Sequence, residues 1–392
     1  MERVNLTIHQ ASAGQITKTA PQSRRSPVGL SVPLAPLAVA SVAVALLGFY
    51  ADVLAPLAIG RALTFPSWIA STIVVAFMWA AVAVRSGYRV PIPTTLVTGG
   101  LFLVGLFIWT AMQALVSPGS ISGVAATTQA IAGLTLFMVV ASLVAQSHDF
   151  ASLNRMAFAL GTLVSGLVIF TAMFGVVFYE IGLGLLPGLL AMSLLAGFSD
   201  GNHKSPARWI GLIVIIVALS LAVTPDSLAI VAIALAIAMA AKAAMGRGHR
   251  PSSTSARLGL GLFLAFALVT GLLLFNGAFD AIQGTVFNPS ALVGAESYVT
   301  HVSSSNGWFL AAVPLVLWLS FVMYASAKAL WNLSIDRHSE VWTFGLVLAV
   351  IATLVLSISY QPMIWLMAAV VVGRHIRIKR IAAFRERLDL EA

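Results

Sequence analysis

The chemistry-bearing side chains of this chain are few, and two stand out by their isolation. His301 lies in Tyr298-Val299-Thr300-His301-Val302-Ser303. A histidine titrates near neutrality and can take a proton from an attacking hydroxyl, so His301 is the candidate general base. The plainer alternative is a loop histidine that hydrogen-bonds its neighbours. Arg61 stands well away from the other Lys and Arg residues. A guanidinium binds phosphate oxygens through paired donors, and the alternative is an arginine that snorkels to lipid headgroups. Glu180, Asp226, Asp280 and Glu296 are candidates to orient the histidine or replace it as base, and Asp226, Asp280 and Glu296 also to bind substrate; the alternative for each is an ordinary solvated loop acid. The other histidines, His9, His148, His203, His249, His338 and His375, are not spaced as metal-ligand pairs, so no catalytic metal is expected. The stretch Arg257 to Gly261 lacks the Lys-Ser/Thr of a phosphate loop, so no nucleotide site is expected either.

What must position these residues is a membrane bundle. Of 392 residues, 59% are hydrophobic and only 9% charged, with a mean hydropathy of +0.98. A soluble domain carries roughly 25% charged residues, so this chain cannot cover a water-facing surface. A chain in lipid satisfies its backbone internally, as helices or as a closed barrel. Barrels read as alternating segments of about ten residues, whereas the apolar runs here are unbroken and of helix length. No cysteine is present, which excludes disulfides and thiolate chemistry. The net charge of +9 would suggest nucleic acid in a soluble protein; here basic residues mark cytoplasmic loops instead.

The hydropathy pattern predicts an all-α, polytopic membrane bundle of about 12 transmembrane helices. The expected spans are 32–50, 66–84, 96–116, 123–145, 156–178, 183–198, 207–223, 227–244, 258–275, 308–330, 342–358 and 361–373. The sixth is short enough to be re-entrant instead. Residues 1–30 read as a disordered cytoplasmic tail without the apolar core of a signal peptide. Residues 31–373 form the bundle and 374–392 a basic cytoplasmic tail, either a topology anchor or a helix on anionic headgroups. With both termini inside, every Lys and Arg except Arg61 falls on the cytoplasmic side. The largest external segment is then a loop at 276–307, whose Gly, Asn, Ser and Pro content suits turns over the bundle mouth.

Thr300-His301, followed by Asn306-Gly307-Trp308-Phe309-Leu310 in a late external loop, resembles the His-Asn-x-x-Leu signature of the O-antigen ligase and polysaccharide polymerase superfamily. Val302 stands where that family favours Asn or Ser. Gly197-Phe198-Ser199-Asp200-Gly201-Asn202-His203-Lys204 resembles the family's Gly-x-Phe stretch before a helix, with altered spacing. Asp226-Ser227-Leu228 stands where the family has a serine turn with an arginine, here missing. The resemblance implies a glycosyltransferase-type enzyme of the bacterial inner membrane, acting in surface or exopolysaccharide biosynthesis. Its partners would be a polyprenyl-pyrophosphate-linked glycan donor, a glycan acceptor, the lipid bilayer and other polysaccharide-assembly proteins. Nucleic acid and cofactors play no part. It implies His301 as base, Arg61 on the leaving pyrophosphate, and Asn306 with the loop acids in substrate binding. Two rival readings share the same sequence: a transporter or flippase for a lipidic or neutral substrate, and a non-enzymatic envelope-assembly subunit. The absence of charges deep in the expected spans weighs against a proton-coupled carrier.

Overall fold

Between Gln361 and Gly373 the chain runs through apolar residues on every side of a helical wheel. Such a helix has no face for water and belongs inside a bundle. The computed structural model places it there: Met363, Ile364 and Leu366 to Val372 are all fully buried. The structure describes residues 34–58, 67–85, 94–116, 121–147, 150–173, 185–199, 205–222, 225–245, 298–355 and 361–391. They form α1 (Leu34–Ala58), α2 (Ser67–Arg85), α3 (Thr94–Val116), α4 (Ile121–Val144), α5 (Phe150–Met173), α6 (Leu185–Ser199), α7 (Pro206–Ala222), α8 (Pro225–Met245), α9 (Tyr298–Ile335), α10 (Glu340–Val355) and α11 (Gln361–Glu391). A single 3-10 turn, Arg337–Ser339, joins α9 to α10. No strand occurs among the described residues.

The core helix α11 packs chiefly on α4, α9 and α10. Two glycines permit the α4 contact. A Cβ on Gly133 would come within 2.5 Å of the Trp365 indole, and one on Gly373 within 2.7 Å of the Ala141 carbonyl. Around this centre the outward faces remain apolar: Phe77 on α2, Leu101 on α3, Leu163 on α5, Ile210 on α7 and Met323 on α9 are all exposed. A water-soluble protein does not present such a belt, and lipid is its solvent. The spans Ser67–Val84, Thr95–Met112, Thr127–Val144, Phe150–Phe170 and Ala312–Ile335 are each long and apolar enough to cross a bilayer. The described residues are therefore all-helical, in the pattern of a multi-pass membrane protein.

All but one of the expected spans have a helical counterpart; 258–275 lies outside the described residues, as do residues 1–30. α6 has 15 residues, about 22 Å of rise, less than the roughly 30 Å hydrocarbon layer. Its Leu186, Leu189, Leu190 and Met192 are fully buried, so protein rather than lipid covers this short helix. Two expectations need correction. The loop at 276–307 is not a loop throughout: Tyr298 to Gly307 already belong to α9. The polar residues there read as turn formers, but no proline precedes Pro314 in the helix, and extending a formed helix is far cheaper than nucleating one. Likewise 374–392 is no separate tail. α11 continues without a break to Glu391, over Arg, Lys, Glu, Ile and Leu residues with no Gly or Pro to stop it.

Candidate functional site

Side-chain contacts decide which helix ends meet. At the start of α5, Asn154 Nδ2 donates to Ser199 Oγ at the end of α6 (2.9 Å) and to the His338 carbonyl beyond α9 (3.2 Å). Its Oδ1 accepts from Trp342 Nε1 at 2.8 Å, at the start of α10. Lys242 near the end of α8 pairs with Glu340 at 2.7 Å. Arg374, one residue past the apolar stretch of α11, donates from Nε (2.8 Å) and Nη2 (2.7 Å) to Asp336 Oδ2. These ends therefore share one level of the bundle. Every Lys and Arg whose side chain is described gathers there: Arg155, Arg208, Lys242, Lys328, Arg374, Arg377, Lys379 and Arg380. It is the basic end.

The network at this end is a clasp. Asn332, fully buried, donates to the Val371 carbonyl at 2.8 Å and ties α9 to α11. Asp336 Oδ1 accepts the His338 backbone N–H at 3.0 Å, and the Arg374 guanidinium lies 4.6 Å from the Phe150 ring centroid. An Arg–carboxylate pair this enclosed is held by geometry and loses heavily if one member goes. His375 is the exception within it. It packs edge-on to Trp331 with ring centroids 5.7 Å apart, and among the described residues neither ring nitrogen has a hydrogen-bond partner. Burial, then the nearby Lys328 and Lys379 charges, push its pKa down to about 4, so the ring is neutral at pH 7. From the sequence, Arg374 reads only as part of the basic anchor, and Asn154, Asn332 and Asp336 do not stand out. The available signal was the spacing of Asn332 and Asp336, four residues apart across the end of α9.

The residues singled out from the sequence lie elsewhere. Arg61, Asp280 and Glu296 are outside the described residues. His301 and Asn306 fall in the first three turns of α9, with side chains outside the description. Asp226 lies in the first turn of α8, its side chain likewise outside the description. Both α8 and α9 end at the basic end, so both begin away from it. α9 has 38 residues against 21 in α8. By helical rise alone, the start of α9 reaches about 25 Å further from the basic end than the start of α8. Among the described residues no cluster of three or more His, Asp or Glu side chains could hold a metal ion. No protein-family model, curated protein or solved structure matches the chain.

Proposed function

We propose that this chain is a multi-pass protein of the bacterial cytoplasmic membrane, with both termini inside, that transfers or polymerises a polyprenyl-pyrophosphate-linked glycan at the outer face. The observation that carries the reading is the length of α9. Its apolar portion Ala312–Ile335 is enough to cross a bilayer, yet the helix begins at Tyr298. The added turns carry His301 about 16 Å beyond that portion, away from the basic end. The positive-inside rule assigns the basic end to the cytoplasm, so His301 faces the periplasmic boundary. The resemblance of Thr300-His301 and Asn306 to Leu310 to the O-antigen ligase and polymerase signature supports the same reading.

In this reaction the acceptor hydroxyl attacks the anomeric carbon as the bond to the pyrophosphate oxygen breaks, with inversion. His301 takes the hydroxyl proton. Arg61 stabilises the charge that grows on the leaving pyrophosphate. No metal or nucleotide enters. Asp226, Asp280, Glu296 and Asn306 contact the glycan in this scheme, and the polyprenyl chain lies in apolar grooves between helices.

The test uses cells lacking the gene, complemented with wild type, His301→Ala or Arg61→Ala at matched membrane levels. Surface and lipid-linked polysaccharide are then resolved on a gel. Short or untransferred glycan with either variant supports the reading. A normal ladder from both sinks it and moves the carrier or assembly-subunit reading ahead.

A further inference from the structure

Two lysines mark the seam where α9 and α11 run together toward the basic end. Lys328 lies inside the apolar span Ala312–Ile335, about 10 Å before its end. Its ammonium nitrogen stands 5.4 Å from the Tyr324 ring centroid, one turn further from the basic end. Lys379, on α11, reaches back in the same sense: its Nζ stands 5.8 Å from the Trp331 ring centroid. Trp331 in turn meets His375, one turn before Lys379, edge-on at 5.7 Å between centroids. Side chains on a helix lean toward its N-terminus, and for both helices that is away from the basic end. The two ammonium groups are therefore turned back toward the bilayer, whereas a lysine that snorkels turns its charge out to water. Both rings are fixed from behind. The Tyr324 hydroxyl donates to the Thr95 carbonyl on α3, and Trp331 rests on His375, which is 1% exposed. Among the described residues neither lysine has a carboxylate partner; Asp336 and Glu340 are taken by Arg374 and Lys242.

A cation turned toward hydrocarbon is costly and calls for a counter-charge at its own depth. The ring faces compensate it in part but carry no net charge. After burial, the chief cause, Lys328 and Lys379 are what hold the His375 pKa down, so both stand close to this one ring. Two like charges so placed favour an anion between them. The surface that continues from them is apolar. Leu319, Met323, Ala327, Trp331 and Ile335 follow at steps of four along α9, and all are exposed. From Trp331 back to Leu319 this stripe is about 18 Å long, close to one leaflet of the roughly 30 Å hydrocarbon layer. A half-exposed tryptophan belongs at the boundary with the headgroups. We infer that the seam binds one anionic phospholipid, with its phosphate between Lys328 and Lys379 and its acyl chains along the Leu319–Trp331 stripe.

The test is retention of lipid by the full-length protein in nonionic micelles, read by native mass spectrometry. Phosphatidylglycerol is compared with phosphatidylcholine, which has the same phosphate but a choline cation that cancels its charge. Glycerol 3-phosphate carries the phosphate without acyl chains. Phosphatidylglycerol should be retained in preference to phosphatidylcholine and should not be displaced by glycerol 3-phosphate. Lys328→Gln and Lys379→Gln should each weaken its retention about tenfold, the value of one charge-assisted contact. Lys379→Arg, which keeps the charge, should retain it, and Arg155→Gln on α5 should leave it unchanged. Displacement by glycerol 3-phosphate with no preference for the lipid overturns the lipid assignment in favour of a soluble phosphate. Equal retention of the two lipids by the wild type, or wild-type retention by both glutamine variants, overturns the site. An equal loss from Arg155→Gln overturns it too, reducing it to the general pull of a basic surface.

Discussion

Replacing Asp336 with alanine tests the clasp that ties α9 to α11. Asp336 and Arg374 are 12% and 16% exposed in their side chains, and two donors of Arg374 meet one carboxylate oxygen at 2.8 and 2.7 Å. The other oxygen holds the His338 amide at 3.0 Å. Removing the carboxylate leaves a mostly enclosed guanidinium against the Phe150 ring and frees that amide. Breaking a buried pair on one side costs about 3–5 kcal/mol. The partial exposure here lowers the expected loss to about 3 kcal/mol. Removing both charges with Asp336→Ala/Arg374→Leu leaves no stranded cation and should cost only about 1 kcal/mol. The double variant should therefore be about 2 kcal/mol more stable than Asp336→Ala alone. The assay is equilibrium unfolding in mixed micelles, titrated with denaturing detergent and followed by tryptophan fluorescence. If the double variant is no more stable than Asp336→Ala alone, no stranded charge accounts for the loss and the reasoning fails.

Two further outcomes follow from the packing at this end and in the core. The pKa of His375 falls from the ordinary 6.5 to about 4 in the folded chain, so between these values the unfolded state binds the extra proton. Its contribution to stability should be complete above about pH 6.5 and decline by at most about 1.4 kcal/mol per unit as pH falls toward 4. The difference between wild type and His375→Phe, measured across that window, isolates it from the carboxylates, and a pH-independent difference counts against a buried neutral ring. In the core, Gly133→Ala should cost about 1–3 kcal/mol by overpacking against Trp365, whose indole already lies where the Cβ would go. Adding Trp365→Phe should recover part of the loss, measured by thermal aggregation of detergent-solubilised protein; no recovery means that the strain lies elsewhere.

The sequence by itself determined the solvent and the element type. Charge too sparse to cover a wet surface, and apolar runs near 20 residues, admit only helices in lipid. Those runs also located the centres of all the described spans. The gathering of the described Lys and Arg at one end of the bundle was legible for the same reason, since charge is costly in hydrocarbon. Helix ends were not legible where polar residues continue a helix into water. α9 starts ten residues before its expected span and α11 runs through the whole basic tail, because local turn-forming preference yields to extension of a helix already nucleated by its buried part. The tertiary structure alone decided that α11 is the buried axis, that Asn154 joins three helices, and that Lys328 and Lys379 meet at one seam. Those facts depend on which helices are neighbours. Hydropathy says that a helix is apolar, and only packing between distant segments fixes what lies against it.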